Sequence, residues 1–397
     1  MVSDQKIGNT FGIDNRVFNS KIVEKEGNRL VLNVGPQHPG SGHFRLVVTI
    51  DGDTIVDIKP DPGYVHRGAE KMAEHRTYIQ NIPHLERPVI IDSSNILFSY
   101  VLACEQILDI TPPERGEYIR ILMSELNRII SHTYWLSIYG IFLGHSTMFM
   151  WPMGDRELFI DLAQSIGGTR VTFSYFIPGG VRNDIPDDFK EKALKTFSYF
   201  DKRLVEYEKI FFNNPLVLQR TKGIGILKKQ DAINLGITGP NLRASGVNSD
   251  TRKDEPYSKY DTIDFDIPVL KEGDCHSRAK IHLEEMRQSL NIMRQVLDII
   301  PEGPVKHIFR GQMKGEPGEA FSRTEAARGT MFYHIISDGE INPYRVKISV
   351  PSFRNLIAMK HLLIGKHIAD MPPIYWGLDY WPVEADKCSS WKLLNSF

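Results

Sequence analysis

The order of apolar and polar residues predicts a small β-sheet near the N-terminus. Two runs rich in β-branched residues lie on either side of Asp51-Gly52, within residues 44–58. An Asp-Gly pair between two such runs is the strongest short-range signal of a hairpin turn. Residues 30–58 are therefore expected to form an antiparallel sheet, preceded by a loose polar arm up to about Glu26.

Apolar residues at helical spacing predict a bundle of helices after this sheet. A helix is expected over residues 94–108, ending at Thr111-Pro112-Pro113, and a longer one begins at Glu114 with acidic residues in its first turn. The apolar residues of the longer helix follow the 3.6-residue period. Further helices are predicted over residues 67–80, 155–165, 188–212 and 275–300.

Residues 129–153 contain no Asp, Glu, Lys or Arg, and are long enough for a membrane span. Small and polar residues interrupt the stretch throughout, among them His132, Gly140, Gly144 and His145. This composition favours a helix buried in protein beside a cavity over a helix that faces lipid.

The C-terminal part combines loops with a second sheet. Residues 213–274 are rich in Gly, Pro, Asn and Asp, and are expected to be mostly loop with one short helix near Gln230. Residues 330–337 and 344–350 alternate as strands. The predicted fold is α+β but mainly α, a central helix bundle with two small β modules. The expected division is a flexible arm (1–28), a β module (29–62), the bundle (63–300, with an irregular insertion at 213–274) and a C-terminal β/α module and tail (301–397).

Composition narrows the function classes. The 397 residues are 41% apolar and 24% charged with a net charge of −1, which argues against binding nucleic acid or anionic membrane through bulk charge. Three widely spaced cysteines cannot form a disulfide framework or a tetrahedral metal site. The first 20 residues are polar and do not resemble a signal peptide, so a reduced, cytosolic setting is expected.

A Gly- and Pro-rich segment places two histidines ahead of the hairpin. It reads VGPQHPGSGHFR over residues 34–45 and includes His38 and His43. Proline fixes φ and glycine permits positive φ, so such a loop can hold a side chain where no regular element could. A second motif, GYVHRGAEK, follows the hairpin at residues 63–71. A rigid hairpin that delivers a histidine-bearing loop suits a functional site.

The chain resembles the 49 kDa subunit (the D subunit) of respiratory complex I over residues 30–386. The resemblance rests on GPQHP and GYVHRGAEK, and on EHRTYIQNI, GGVRNDIP, LRASGVNSDTRK and ARG…SDG…PYRVK…PSF. It extends to archaeal deazaflavin-linked dehydrogenases and to membrane-bound nickel–iron hydrogenases. It implies a central bundle of the nickel–iron hydrogenase large-subunit type.

The resemblance raises the question of a bound metal. Hydrogenase large subunits hold nickel and iron through two Cys-x-x-Cys pairs near the two ends of the chain, because soft metals prefer thiolates. Here residues 85–108 contain only Cys104, and the C-terminal end contains only Cys388. A nickel–iron site is excluded, and we expect the chain to bind no metal and no cofactor of its own.

By resemblance, three residues lie beside a 4Fe–4S cluster held by a small partner protein. Arg67 and Arg87 would donate hydrogen bonds to cluster sulfur and raise the potential of the cluster. The alternative is a surface salt bridge of these arginines with Glu70 or Glu86. Thr172 falls where the complex I proteins have a histidine that couples the cluster to protons.

The resemblance also implies a head-group site for a quinone or phenazine carrier. The family's second loop histidine falls near Ser41, with His43 two places on, while its tyrosine aligns with Ile90 and its aspartate with Phe142. The last two changes make the pocket more apolar, as suits the methanophenazine of the archaeal relatives. His38 or His43 is then the catalytic proton donor, although His38 could instead only brace the loop.

The predicted function is electron transfer from the partner cluster to the lipid-soluble carrier, within a complex I-like oxidoreductase of several proteins. The expected partners are a small iron–sulfur protein of the B type, a protein of the C type and a quinone-chamber membrane protein of the H type, with no nucleic acid. The expected location is the cytoplasmic face of the cell membrane. The alternatives are a scaffold that joins the peripheral and membrane arms, and a degenerate hydrogenase-like protein, which the missing cysteines disfavour.

Overall fold

The computed structural model describes residues 20–26, 29–37, 42–309 and 311–386, with backbone alone for 20–26. These residues form antiparallel sheets around a helix bundle. The strands are β1 (Ser20–Glu26), β2 (Arg29–Val34), β3 (Arg45–Asp51), β4 (Thr54–Asp61), β5 (Phe176–Ile177), β6 (Gly180–Val181), β7 (Gly318–Ala326), β8 (Gly329–Ser337) and β9 (Arg345–Ser349).

Helices make up most of the remaining described chain. They are α1 (Ala69–Ala73), α2 (Asn81–Glu86), α3 (Ser93–Leu108), α4 (Glu114–Phe142), α5 (Ser146–Gly167), α6 (Phe189–Tyr207), α7 (Pro215–Thr221), α8 (Lys229–Asn234), α9 (Pro240–Ala244), α10 (Thr251–Asp254), α11 (Cys275–Ile299), α12 (Pro351–Asn355), α13 (Ile357–Leu363), α14 (Met371–Gly377) and α15 (Pro382–Ala385). The predicted α+β, mainly helical fold is confirmed.

The N-terminal sheet has four strands in the order β1-β2-β3-β4. β3 and β4 are the predicted hairpin, with Gly52 at a φ of 62° in the turn between them. The inward residues Leu46, Val48 and Ile50 of β3 are buried in the core. Residues 20–26, which the sequence assigned to the loose arm, instead form β1 through backbone pairing with β2.

The central bundle is built on α4, which packs against α5 and α11. The predicted starts of α3, α4 and α11 agree with the structure to within one residue. α11 begins at a capping residue, Asp274, whose carboxylate accepts a hydrogen bond from the Ser277 amide at 2.7 Å. Long apolar periods therefore predicted the starts of these three helices correctly, whereas α5 begins at Ser146 rather than at the predicted residue 155.

The charge-free stretch 129–153 is divided between the end of α4 and the beginning of α5. The chain reverses at Gly144, where φ is 78°. A Cβ atom at Gly140 would lie 2.7 Å from the Met148 Cβ, so only glycine allows the two helices to approach this closely. Within the described part of the chain, none of the helices combines the length and the apolar composition that a membrane crossing requires.

Two segments differ from the sequence-based expectation. Residues 67–80 are helical only in α1, and Glu70 in this helix turns inward and accepts a hydrogen bond from the Ile348 amide at 2.9 Å. Residues 213–274 contain α7 to α10 rather than one helix. Buried arginines hold that segment on the bundle, with Arg243 2.6 Å from Glu285 and Arg252 3.0 Å from Glu125.

The C-terminal sheet has the order β7-β8-β9, and both pairings are antiparallel. β8 and β9 match the predicted strands, whereas β7 was not predicted. β7 and β8 pack against α3, so the sheet covers one side of the bundle. Buried side chains of the sheets and the bundle belong to one continuous hydrophobic core.

Candidate functional site

The short helix α15 lies beside the described end of the histidine-bearing loop. A Cβ atom built at Gly42, which has a φ of 57°, would lie 3.4 Å from the Pro382 Cγ. His43 follows with a φ of 71° and an exposed side chain. The other two predicted loop residues, His38 and Ser41, lie outside the described residues. The loop that precedes β3 therefore reaches the surface next to α15.

Asp386, directly after α15, holds the GYVHR segment. Its carboxylate accepts hydrogen bonds from the Gly63 amide at 2.8 Å and the Val65 amide at 3.0 Å. The His66 Nδ1 lies 2.5 Å from the Asp386 carbonyl oxygen and must donate, since a carbonyl only accepts. These bonds anchor the backbone next to Arg67.

Glu86 joins the turn that follows α2 to the loop that contains Thr172. Its buried carboxylate accepts hydrogen bonds from the Phe173 and Ser174 amides, each at 2.8 Å, and from the Ser174 hydroxyl at 2.7 Å. Burial raises the pKa of Glu86, an effect that these donors oppose. The structure thus brings Thr172 close to Arg87, which begins a 3-10 turn ending at Val89. α15 packs against the same turn.

Arg67 and Arg87 are both exposed, and neither guanidinium forms an ion pair with another described residue. The carboxylates suggested as alternative partners are engaged elsewhere. Glu70 accepts from the Ile348 amide and lies 3.2 Å from the Lys347 Nζ, and Glu86 bonds the 173–174 amides. The surface salt bridges considered from the sequence are therefore absent from the described structure.

The predicted carrier residues Ile90 and Phe142 lie at a partly exposed apolar edge. Ile90 is 43% exposed. Phe142 is half-buried at the end of α4 and stacks on Trp376 of α14, with ring centroids 5.1 Å apart. Trp376 contacts Tyr375 at 5.4 Å, and Tyr375 contacts Phe44 at 6.3 Å. A row of aromatic rings therefore connects Phe142 to the residue after His43.

Two buried carboxyl groups near this edge were not predicted. Burial raises the pKa of Asp92, just beyond the Arg87–Val89 turn, to about 6, and that of Glu384 in α15 to about 7. Asp92 accepts from the Asn95 amide group at 2.6 Å and the Ala327 amide at 2.8 Å. Glu384 accepts from the Ser352 hydroxyl at 2.7 Å. Groups with such pKa values can exchange protons near neutral pH. In the sequence, the available signal was a lone acidic residue directly after the apolar run at residues 89–91.

Comparison with known proteins matches the chain to one family. A family model described as "Respiratory-chain NADH dehydrogenase, 49 Kd subunit" matches residues 143–310 and 305–387. The chain is 41% identical over 369 residues to the D subunit of the F(420)H(2) dehydrogenase of Methanosarcina mazei, covering 91% of this chain and 99% of that protein. It is 42% identical over 349 residues to the D subunit of the NADH-quinone oxidoreductase of Carboxydothermus hydrogenoformans, covering 88% and 96%.

A solved structure gives the same result for the fold. One chain of the membrane-bound sulfane sulfur reductase, described as an archaeal respiratory membrane complex, superimposes with a TM-score of 0.88 at 36% identity. The match covers 91% of this chain and 100% of that chain. The resemblance inferred from the motifs is confirmed.

Proposed function

The chain belongs to the family of the 49 kDa subunit of the respiratory-chain NADH dehydrogenase, and we propose that it transfers electrons within a complex I-like membrane oxidoreductase. The electrons come from a 4Fe–4S cluster in a small partner protein. They pass to a lipid-soluble quinone or phenazine at the interface between this chain and its partners. The chain contributes the walls of the site rather than a redox centre.

The observation that best supports this proposal is the grouping of the predicted residues around α15. Gly42, directly before His43, lies beside Pro382, and the Arg87–Val89 turn packs on the same helix. Glu86 links that turn to the loop of Thr172. These positions are far apart in sequence, so their proximity was not required by the motifs themselves.

The two arginines are suited to the electron-donating side. Both are exposed without an ion pair to a described residue, so their guanidinium groups are available to a partner. Hydrogen bonds from arginine to cluster sulfur stabilise the reduced, more negative cluster and raise its potential. We assign Arg67 and Arg87 this role, with Thr172 beside the same cluster.

The apolar edge is suited to the carrier side. Ile90 and Phe142 offer shape and apolar contact without a hydroxyl or a charge. This favours a phenazine, whose ring nitrogens do not need the paired donors that quinone carbonyls use. His43 is the protonable group on the described loop, and an imidazole can deliver a proton near neutral pH. His38 and Ser41 belong to the same proposed site.

In this proposal the chain is a peripheral component on the cytoplasmic face of the cell membrane. Its partners are the iron–sulfur protein, a protein of the C type and a membrane protein of the H type that completes the carrier chamber. The competing proposal, a scaffold without carrier reduction, differs in one respect that can be measured. A scaffold would tolerate changes at His43 that leave assembly intact.

The test compares His43→Asn with wild type in intact membranes. Asparagine tolerates the positive φ at this position but cannot protonate. We expect carrier reduction to fall about tenfold or more, within the usual range for loss of an acid–base group. Electron transfer to an artificial acceptor that takes electrons directly from the clusters should be unchanged.

The matched control is His334→Asn on β8, where the imidazole bonds Glu319 at 2.9 Å. It should reduce both acceptors at the wild-type rate. Unchanged carrier reduction in His43→Asn would contradict the proton-donor role of His43 and leave His38 as the donor or the chain as a scaffold. Equal loss with both acceptors would show that the variant damages assembly.

A further inference from the structure

Three buried side chains from separate parts of the chain meet in the core of the bundle. His132 lies on α4, His282 on α11, and Asp379 follows α14; the histidines are 0% exposed and Asp379 is 5% exposed. One nitrogen of each imidazole and one carboxylate oxygen all lie within 4.8 Å of one another. The His282 Nε2 is 3.4 Å from the Asp379 Oδ2. None of these residues belongs to the proposed carrier site.

The outer nitrogen of each imidazole is occupied by a group that can only accept a hydrogen bond. The His282 Nδ1 lies 2.8 Å from the Arg278 carbonyl oxygen and must donate to it. The His132 Nε2 lies 3.0 Å from the Glu285 Oε2. The other carboxylate oxygen, Glu285 Oε1, accepts hydrogen bonds from the Arg243 Nε at 3.0 Å and Nη2 at 2.6 Å, so this carboxylate is paired with a guanidinium and acts as an acceptor towards His132 as well.

These bonds leave one lone pair on each imidazole without a partner, close to an oxygen of the Asp379 carboxylate. The His132 Nδ1, the His282 Nε2 and the Asp379 Oδ2 have no hydrogen-bond partner among the described residues. A water molecule has two hydrogens and would leave one of the three atoms unsatisfied. A proton on His282 would serve only the contact with Asp379. A metal cation can accept an electron pair from all three.

We propose that His132, His282 and Asp379 bind one divalent cation of the zinc type. Two imidazoles and a carboxylate are a usual ligand set for zinc, with a fourth position open to water. The surroundings also fit, because imidazole ligands generally donate their other N–H to a carboxylate or a backbone carbonyl. Here Glu285 and the Arg278 carbonyl are those acceptors.

The distances indicate how the site would adjust. Bonds of the usual zinc length place tetrahedral ligands about 3.3 Å apart. The His282–Asp379 pair at 3.4 Å already meets this, and the widest pair, within 4.8 Å, would close by about 1.5 Å. The guanidinium of Arg328 contacts the other carboxylate oxygen, Asp379 Oδ1, at 3.3 Å and is also 3.9 Å from Glu384. Oδ2 is therefore left for the cation.

The cation would connect α4, α11 and the segment after α14. The expectation that the chain binds no metal rested on its cysteines, whereas these ligands are nitrogen and oxygen atoms of residues separated by 150 and 97 positions. The ligands are buried, so the cation would be taken up during folding and exchange slowly. This site does not depend on the proposed electron-transfer function, and metal content reports on it separately.

The test measures zinc in the purified membrane complex by elemental analysis, for wild type and for His282→Arg. Arginine removes the ligand but keeps a positive charge next to Asp379, so the variant should still fold and assemble. We expect wild type to contain one equivalent of zinc more than His282→Arg. The control, His334→Gln on the surface, should retain the wild-type content. Zinc-edge absorption should show nitrogen and oxygen ligands at about 2.0–2.2 Å that the variant lacks.

A second measurement does not require a variant to assemble. Wild-type complex stripped with a chelator in mild denaturant should unfold at a lower temperature and recover when Zn²⁺ is restored. Equal zinc content in wild type and His282→Arg would overturn the proposal. Unfolding temperatures that do not respond to stripping and Zn²⁺ would overturn it as well. In either case the three atoms are satisfied by a protonated His282 together with a buried water.

Discussion

Glu384 should make the stability of the protein fall as the pH rises towards neutrality. The side chain is 1% exposed, and burial raises its pKa from 4.5 to about 7 against the opposing effects of Arg328 and Ser352. The carboxyl therefore keeps its proton in the folded state at pH values where the unfolded chain has released it. Ionising it inside the protein has a free-energy cost.

The size and the sign of the change in stability follow from the difference in the pKa of Glu384 between the folded and the unfolded protein. A shift of about 2.5 pKa units corresponds to about 3 kcal/mol, because each unit is worth about 1.4 kcal/mol. Between pH 4.5 and 7 the folded protein binds more protons at this site than the unfolded chain does, so its contribution to stability decreases with increasing pH. For a chain of 397 residues, this corresponds to roughly 4 °C in Tm.

The assay is thermal unfolding of wild type and Glu384→Gln between pH 4.5 and 8. Glutamine keeps an acceptor for the Ser352 hydroxyl but does not titrate. Relative to wild type, the Tm of the variant should increase by roughly 4 °C between the lower and the upper end of this pH range. Glu191→Gln, an exposed change on α6 at a carboxylate without an ion pair to a described residue, should give a constant difference. A constant difference for Glu384→Gln, or a slope of opposite sign, would refute the argument.

Three further predictions concern the proposed electron and carrier sites. Arg67→Ala or Arg87→Ala should lower the midpoint potential of the partner's cluster by about 60 mV, the equivalent of one charge-assisted hydrogen bond of about 1.4 kcal/mol. The surface change Arg29→Ala should not affect it, and failed assembly would mean that the arginines are structural. The same potential should vary with pH by far less than about 59 mV per unit, because Thr172 cannot take up a proton; a slope of that size contradicts its placement beside the cluster. Ile90→Tyr should favour ubiquinone-type over phenazine-type acceptors in membrane assays, and loss of both would identify Ile90 as a packing residue.

The helices of the bundle were predictable because the spacing of apolar residues within each helix shows which of its faces is buried. The apolar face of α4 repeats with the helical period, and Thr111-Pro112-Pro113 separates it from α3. The hairpin was predictable because Asp51-Gly52 determines its turn locally. Such signals need no information about which part of the chain lies opposite.

The segment 213–274 was misjudged because its stabilising partners are distant in sequence. Its composition is that of a loop, yet Arg243 and Arg252 are buried among Glu285, Glu325 and Glu125. Each of these arginines is stabilised only when the bundle has brought the acidic side chains to it. A single sequence shows such arginines as ordinary charged residues in a polar stretch.

For the candidate site, too, local sequence signals were sufficient for some features, and long-range contacts determined the others. Motifs identified His43, Arg67 and Arg87, but their grouping depends on contacts such as that between the Gly63 amide and Asp386, which are 323 residues apart. The same C-terminal segment contains Glu384, which burial keeps protonated near neutral pH. Asp386, directly after the last described helix, therefore holds the segment that leads to Arg67 through its carboxylate, and Glu384 within that helix adds a buried carboxyl group to the same part of the chain. In the function that we propose, electron transfer and proton exchange would therefore meet at one edge of a chain that contributes no redox centre to the reaction.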